Sequence, residues 1–213
     1  MSIAENLKKI KERLPNGVTL VAVSKTKTNS DILEAYNAGQ RIFGENKVQE
    51  LSNKYAELPK DIQWHMIGHL QSNKVKYIAP FVSLIHAVDS LKLMKEINKR
   101  AEQNNRVIDC LLQVHIASES TKFGFGVNEI NNTLFESKKF SNINIIGLMG
   151  MATFTDDKKK VNNEFKLLNN LFNEIKNNSI NTLSIGMSGD YKLAISNSST
   201  MIRVGSAIFG HRK

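Results

Sequence analysis

The sequence predicts a closed (β/α)8 barrel, on three observations. Apolar, β-branched-rich runs alternate with helical stripes eight times along the chain. The segment after the first run, Ser24-Lys25-Thr26-Lys27, is not the glycine-rich fingerprint that a doubly wound open sheet, the runner-up, places there. The chain also opens with an amphipathic helix, while only Ser206 to Lys213 remains after the last strand, too little for a full closing helix. The length of 213 residues lies at the short end of the range for this fold.

Ile3, Leu7, Ile10 and Leu14 make one helix face, ended by Pro15-Asn16-Gly17. This extra N-terminal helix is expected to cover the seam between strands eight and one. The first strand spans 18–24. A helix capped by Asn29 or Ser30 then turns Ile32, Leu33 and Tyr36 inward and closes at Gly39. A short strand at 41–43 leads into a helix at 45–58, with Val48, Leu51, Tyr55 and Leu58 aligned before Pro59. The third strand spans 62–67, and a short helix at 71–78 precedes Pro80. The fourth strand covers 82–86, and Asp89 or Ser90 caps the helix bearing Met94, Ile97 and Ala101. The fifth, at 107–116, reads as the longest. Asn128 caps a helix with Ile130 and Leu134. After strand six at 143–149, Asp156 or Asp157 starts a long helix with Val161, Phe165, Leu168, Phe172 and Ile175. Strand seven (182–186), a short helix (188–195) and strand eight (201–204) complete the series. No linker or composition break interrupts it, so 1–213 reads as a single domain.

Composition is that of a water-soluble globular protein, 41% hydrophobic and 23% charged. The single cysteine, Cys110, permits no internal disulfide and fits a reducing compartment. The N-terminus is polar too early for a signal peptide, and no run reaches spanning length, so a cytoplasmic protein without membrane contact is expected. A net charge of +9 favours anionic ligands. The lysines are interleaved with acids, and no aromatic-laced basic stripe or zinc-ligand spacing occurs, which argues against nucleic acid and metal.

Barrel chemistry gathers at the carboxyl ends of the strands, with phosphate held after strands seven and eight. Lys25 stands at the end of strand one. Apolar walls there desolvate its amine and favour the neutral form that Schiff-base chemistry uses, although a lone strand-end lysine is more often simply solvated. Met187-Ser188-Gly189-Asp190 and Gly205-Ser206 follow strands seven and eight. Serine hydroxyls and close backbone approach at glycine suit an anion, and the joint position of the two loops points to a phosphate-bearing ligand. Arg203, inside an apolar strand, needs a partner: a buried acid or a ligand acceptor. Asn46 either caps a helix or meets the ligand. His65, mid-strand, reads as a hydrogen-bonded core residue, and Met149, Met151 and Met187 as packing near the barrel top.

Six stretches together resemble one family. They are Leu20 to Lys27 (LVAVSKTK), Phe43 to Glu50 (FGENKVQE), Trp64 to Lys74 (WHMIGHLQSNK), Ser120 to Gly124 (STKFG), Leu183 to Asp190 (LSIGMSGD) and Met201 to Gly210 (MIRVGSAIFG). In this order they resemble the pyridoxal 5′-phosphate (PLP)-binding homeostasis proteins of the YggS/PROSC family, single-domain relatives of the barrel half of bacterial alanine racemase. The resemblance implies the alanine racemase N-terminal barrel, known as PLP fold type III. It implies PLP held covalently, as a Schiff base, on Lys25. Ser188, Gly205 and Ser206 would hold the phosphate, Arg203 would face the pyridine nitrogen and Asn46 would line the pocket. Lys47 and Met66 depart from the family pattern, as do His115 and Ala117, onto which no role is carried.

A guanidinium stays protonated and only donates, so a pyridine nitrogen facing Arg203 is an acceptor and the ring a weaker electron sink. Racemisation also needs a second base, which in the racemases comes from a second domain, and the chain ends at Lys213. The sequence therefore reads as a PLP-binding homeostasis protein, with no residue assigned a catalytic role. Weak amino-acid racemase activity is the enzyme alternative. A bare-barrel isomerase would leave Lys25 and Arg203 together unexplained. A monomer that meets PLP-dependent apoenzymes transiently is expected.

Overall fold

The computed structural model describes residues 2–119 and 123–210, so the Ser120-Thr121-Lys122 part of the fourth family stretch lies outside the described residues. Eight strands form a closed, all-parallel barrel in sequence order: β1 (Thr19–Val23), β2 (Ile42–Glu45), β3 (Gln63–Met66), β4 (Leu84–Val88), β5 (Ile108–Val114), β6 (Ile143–Gly150), β7 (Thr182–Ser184) and β8 (Met201–Val204). β8 closes on β1 with Val21 opposite Arg203 and Ala22 opposite Val204. The helices are α1 (Ile3–Lys11), α2 (Asn29–Asn37), α3 (Val48–Glu57), α4 (Val75–Ile78), α5 (Leu91–Gln103), α6 (Ile130–Ser137), α7 (Lys158–Ile175), α8 (Tyr191–Ser196) and α9 (Ser206–Phe209).

Alternation along each strand separates two cores. Leu20, Ala22, Phe43, Trp64, Met66, Ile202 and Val204 point outward and join the helices' apolar faces in the main core. Val21, Leu84, Ala87, Leu111, Met149 and Met201 fill the barrel interior, with Met151 packed against them, whereas Met187 is exposed. The pairing of β4 with β5 shifts register between Ile85 and Val88. A shift of this kind lets neighbouring residues share one face: Ala87 joins the interior cluster, and His86 bonds to His65 and to Ser184 across the barrel.

The N-terminal helix lies over the seam. Leu7 and Ile10 are buried, α1 packs on α2 and α9, and Asn6 Nδ2 donates to the Ile208 carbonyl at 3.0 Å.

Several local expectations are corrected. Thr28, not Asn29 or Ser30, caps α2, because Thr28 and Asp31 form a reciprocal capping box. Leu33 faces solvent while Ala35 is buried. A 3-10 turn at Val127–Glu129 precedes α6, so Asn128 lies inside that turn and does not cap. β6, with 8 residues, is longer than the 7 of β5. Residue 45 belongs to β2 and not to the following helix, its carboxylate held by Ser24, just past β1, and by Lys54 of α3.

Candidate functional site

Lys25 stands two residues past the end of β1, and β1 runs between β8 and β2. Arg203, Gly205 and Ser206 are therefore on one side of it and Asn46 on the other. Lys25 is partly buried. The next residue, Thr26, adopts a left-handed backbone with φ of 65°, which costs a non-glycine residue about 1 kcal/mol or more.

A polar layer crosses the barrel interior below this end. Arg203 is 4% exposed, and among the described residues its side-chain hydrogen bonds go to carbonyls and a hydroxyl, with the Asp190 charge acting on it. One Nη1 donates to the Ser184 carbonyl at 2.8 Å and to Ser184 Oγ at 2.6 Å, while Nη2 donates to the Gly150 carbonyl at 2.9 Å. Burial lowers its pKa to about 10, so it remains a cation at neutral pH. Of the five guanidinium N–H groups, Nε–H and one Nη2–H donate to no group among the described residues.

Ser184 Oγ accepts from Arg203 and shares a hydrogen bond with His86 Nδ1 at 3.1 Å. His86 Nε2 in turn shares a hydrogen bond with His65 Nδ1 at 3.0 Å. Both rings are neutral: burial pushes His65 down to about 3, and burial, with the adjacent His65 ring and the Arg203 cation, pushes His86 well below its usual range. His65 is the hydrogen-bonded core histidine that the sequence implied.

The loops after β7 and β8 meet at Ser188. Its Oγ accepts from the Gly205 amide at 3.0 Å and, more weakly, from the Ala207 amide at 3.4 Å. With its lone pairs so engaged, the hydroxyl proton is left to donate, and it finds no acceptor among the described residues. The amides of Ser188, Gly189 and Ser206 likewise donate to no protein group among the described residues. These are the donors an anion uses. Gly186, at φ 95°, turns the chain into the first of these loops; a Cβ there would come within 2.5 Å of the Ala194 Cβ.

Asn46 sits just past β2, partly buried. Gly68 sets its place: a Cβ at residue 68 would stand 2.5 Å from the Asn46 carbonyl oxygen and 2.8 Å from its Cα. A groove of about 490 Å³ opens beside it, lined among others by Asn46, Ser52, His69 and Lys74. A second groove of about 690 Å³ is lined by Ser188, Gly189, Asp190 and Ala207 with residues of α7 and α8. The strand that bears Lys25 runs between those leading to these two grooves.

The fold thus brings all six residues singled out from the sequence to one end of the barrel. Sequence reasoning missed Ser184 and His86, whose signal was a polar residue inside an apolar strand. It also missed Glu45, Glu50 and Lys54 behind β1, where the spacing of Glu50 and Lys54 was the available cue.

The alanine racemase N-terminal domain model matches residues 1–213. The pyridoxal phosphate homeostasis protein of Aquifex aeolicus is 37% identical over 218 residues, covering 99% of this chain and 96% of its own length. PipY of Synechococcus elongatus, solved with PLP bound, is 34% identical, with a TM-score of 0.89 over 98% of this chain and 100% of its own; without PLP the TM-score is 0.93. Alanine racemase of Bartonella henselae shares the fold at 14% identity, with a TM-score of 0.77 over 98% of this chain and 58% of the racemase. A barrel with this closure, this order of strand-end residues and these full-length relatives belongs to the pyridoxal phosphate homeostasis family, on the alanine racemase N-terminal-domain scaffold.

Proposed function

We propose that this protein binds PLP in intracellular PLP homeostasis, holding it covalently as a Schiff base on Lys25. The observation that carries the reading is the placement, at one end of one barrel, of a strand-end lysine, a buried arginine with two N–H groups left over, and a loop junction rich in unpaired donors. The full-length relatives and the PLP-bound PipY structure support it.

PLP supplies an aldehyde for an amine and an electron-withdrawing ring. Lys25 provides the amine. The Ser188 hydroxyl, the Ser206 hydroxyl and amide, and close backbone approach at Gly205 suit the phosphate. Arg203 offers N–H donors to the ring nitrogen. As it stays cationic at neutral pH, it keeps that nitrogen unprotonated, which disfavours efficient catalysis. Asn46 lines the opposite wall. Work as a monomer, transient delivery to PLP-dependent apoenzymes and a cytoplasmic location belong to the same reading. Among the described residues no helix is long and apolar enough to cross a membrane, and the single cysteine is buried.

Borohydride reduction of the PLP-loaded protein, followed by peptide mapping, tests the assignment. The adduct is expected on Lys25, and Lys25→Ala should lose the imine absorbance band while keeping its fold. An adduct chiefly on Lys27 would overturn it. Turnover of a common amino acid at about 1–1,000 per second would instead establish a racemase.

A further inference from the structure

Behind β1, outside the barrel and beneath α3, lies a buried ion cluster with no part in the site described above. Lys54 of α3 is 6% exposed. Its ammonium donates three bonds, to the Ser24 carbonyl at 2.8 Å, Glu45 Oε1 at 2.8 Å and Glu50 Oε1 at 2.7 Å. Those are all the donors a lysine has. Glu50 Oε1 also accepts from the Thr26 amide at 2.5 Å, and Glu45 Oε1 from Ser24 Oγ at 2.6 Å.

The Ser24 carbonyl belongs to the peptide before Lys25 and the Thr26 amide to the peptide after it. One ion cluster therefore anchors both peptide groups that flank the Lys25 Cα. It also engages the amide of Thr26, which is held in the left-handed region. Burying a lysine and the Glu45 carboxylate, with Glu50 partly exposed beside them, is costly, and hydrophobic groups of similar shape would pack this place at least as well. Burial raises the Glu45 pKa against the opposing pull of Lys54, and Glu45 Oε2 is buried without a partner. A cluster this costly, spread over β1, β2 and α3, converges on the backbone of one residue.

We propose that Lys54, acting through Glu50 and the Ser24 carbonyl, is a positioning residue that fixes the direction in which Lys25 leaves β1. The proposal rests on the reading of Lys25 as the PLP-bearing lysine. Without Lys54 the two flanking peptides lose their anchors, and the amine samples orientations that do not meet the aldehyde.

The test uses full-length Lys54→Met, Lys54→Arg and Glu50→Ala proteins. Glu50 is about a quarter exposed, so its variant reads the same link should Lys54→Met fail to fold. Amide exchange at Thr26 is measured by NMR without PLP; PLP affinity and the rate of imine formation are measured by absorbance. Exchange at Thr26 should speed up roughly tenfold or more in Glu50→Ala and Lys54→Met. PLP affinity should weaken roughly tenfold in the same proteins, with Lys54→Arg recovering part of both. Native circular dichroism with wild-type Thr26 exchange and wild-type PLP affinity in Glu50→Ala would overturn the proposal. A wild-type protein whose Lys25 is never labelled by reduction overturns the PLP assignment beneath it, whereas Thr26 exchange judges the backbone anchor independently.

Discussion

Arg203 and Ser184 are joined twice: one guanidinium nitrogen reaches both the Ser184 carbonyl and its hydroxyl, at 2.8 and 2.6 Å. Ser184 thereby couples the cation to two neutral histidines. A hydrogen bond to a charged group contributes about 1.5–3 kcal/mol. Ser184→Ala removes that bond and leaves His86 Nδ1 unpaired in the barrel. Urea unfolding should show a loss of about that size, and PLP affinity should fall with it. Arg203→Glu should be worse, since the Ser184 and Gly150 carbonyls would face a carboxylate. It is expected to lose the fold before it alters the cofactor's chemistry.

Stability should fall on mild acidification. His65 has its pKa pushed from the usual 6.5 to about 3, and His86 is lowered as well, so both stay neutral in the fold. The unfolded chain takes up those protons below pH 6.5 while the native state refuses them. Stability is therefore fully present above about pH 6.5 and declines as pH falls toward 3, by up to about 1.4 kcal/mol per pH unit for each histidine. Denaturant midpoints measured between pH 5 and 8 check this. His86→Gln should flatten the slope; an unchanged slope would assign the acid sensitivity to other groups.

Gly68→Ala places a methyl group against the Asn46 backbone at 2.5 Å, where backbone must move to accept it. Overpacking of this kind costs about 1–3 kcal/mol. The displaced Asn46 should also weaken PLP binding by more than the stability loss explains. Titration with PLP beside a thermal melt separates the two effects.

Leu7 is fully buried where α1 covers the seam. Leu7→Ala should cost about 2–5 kcal/mol, read as a lower thermal midpoint.

Local pattern alone set the order and type of the elements and where the candidate polar residues fall along them. The period of apolar residues placed all eight strands, and β8 at its observed bounds, because alternation and turn residues are local properties. The stripe Ile3, Leu7, Ile10 and Leu14 implied a helix over the seam, although α1 ends at Lys11 and Leu14 lies beyond it. The loops after the seventh and eighth strands, with Lys25 after the first, were legible because barrel strands all deliver their ends to one face. Tertiary structure alone decided what each polar group touches. Arg203 found carbonyls and a hydroxyl instead of a carboxylate, because Ser184 and Gly150 lie 19 and 53 residues away and only barrel closure brings them together. Ala87 turned inward beside His86 because β4 shifts register beside β5. Lys54, on a helix face that reads as surface, was buried because Glu45 and the Ser24 carbonyl come from two strands whose pairing leaves acceptors beneath α3. Local pattern follows from neighbours in the chain, but the partner of a buried donor follows from which strands lie side by side once the sheet has closed.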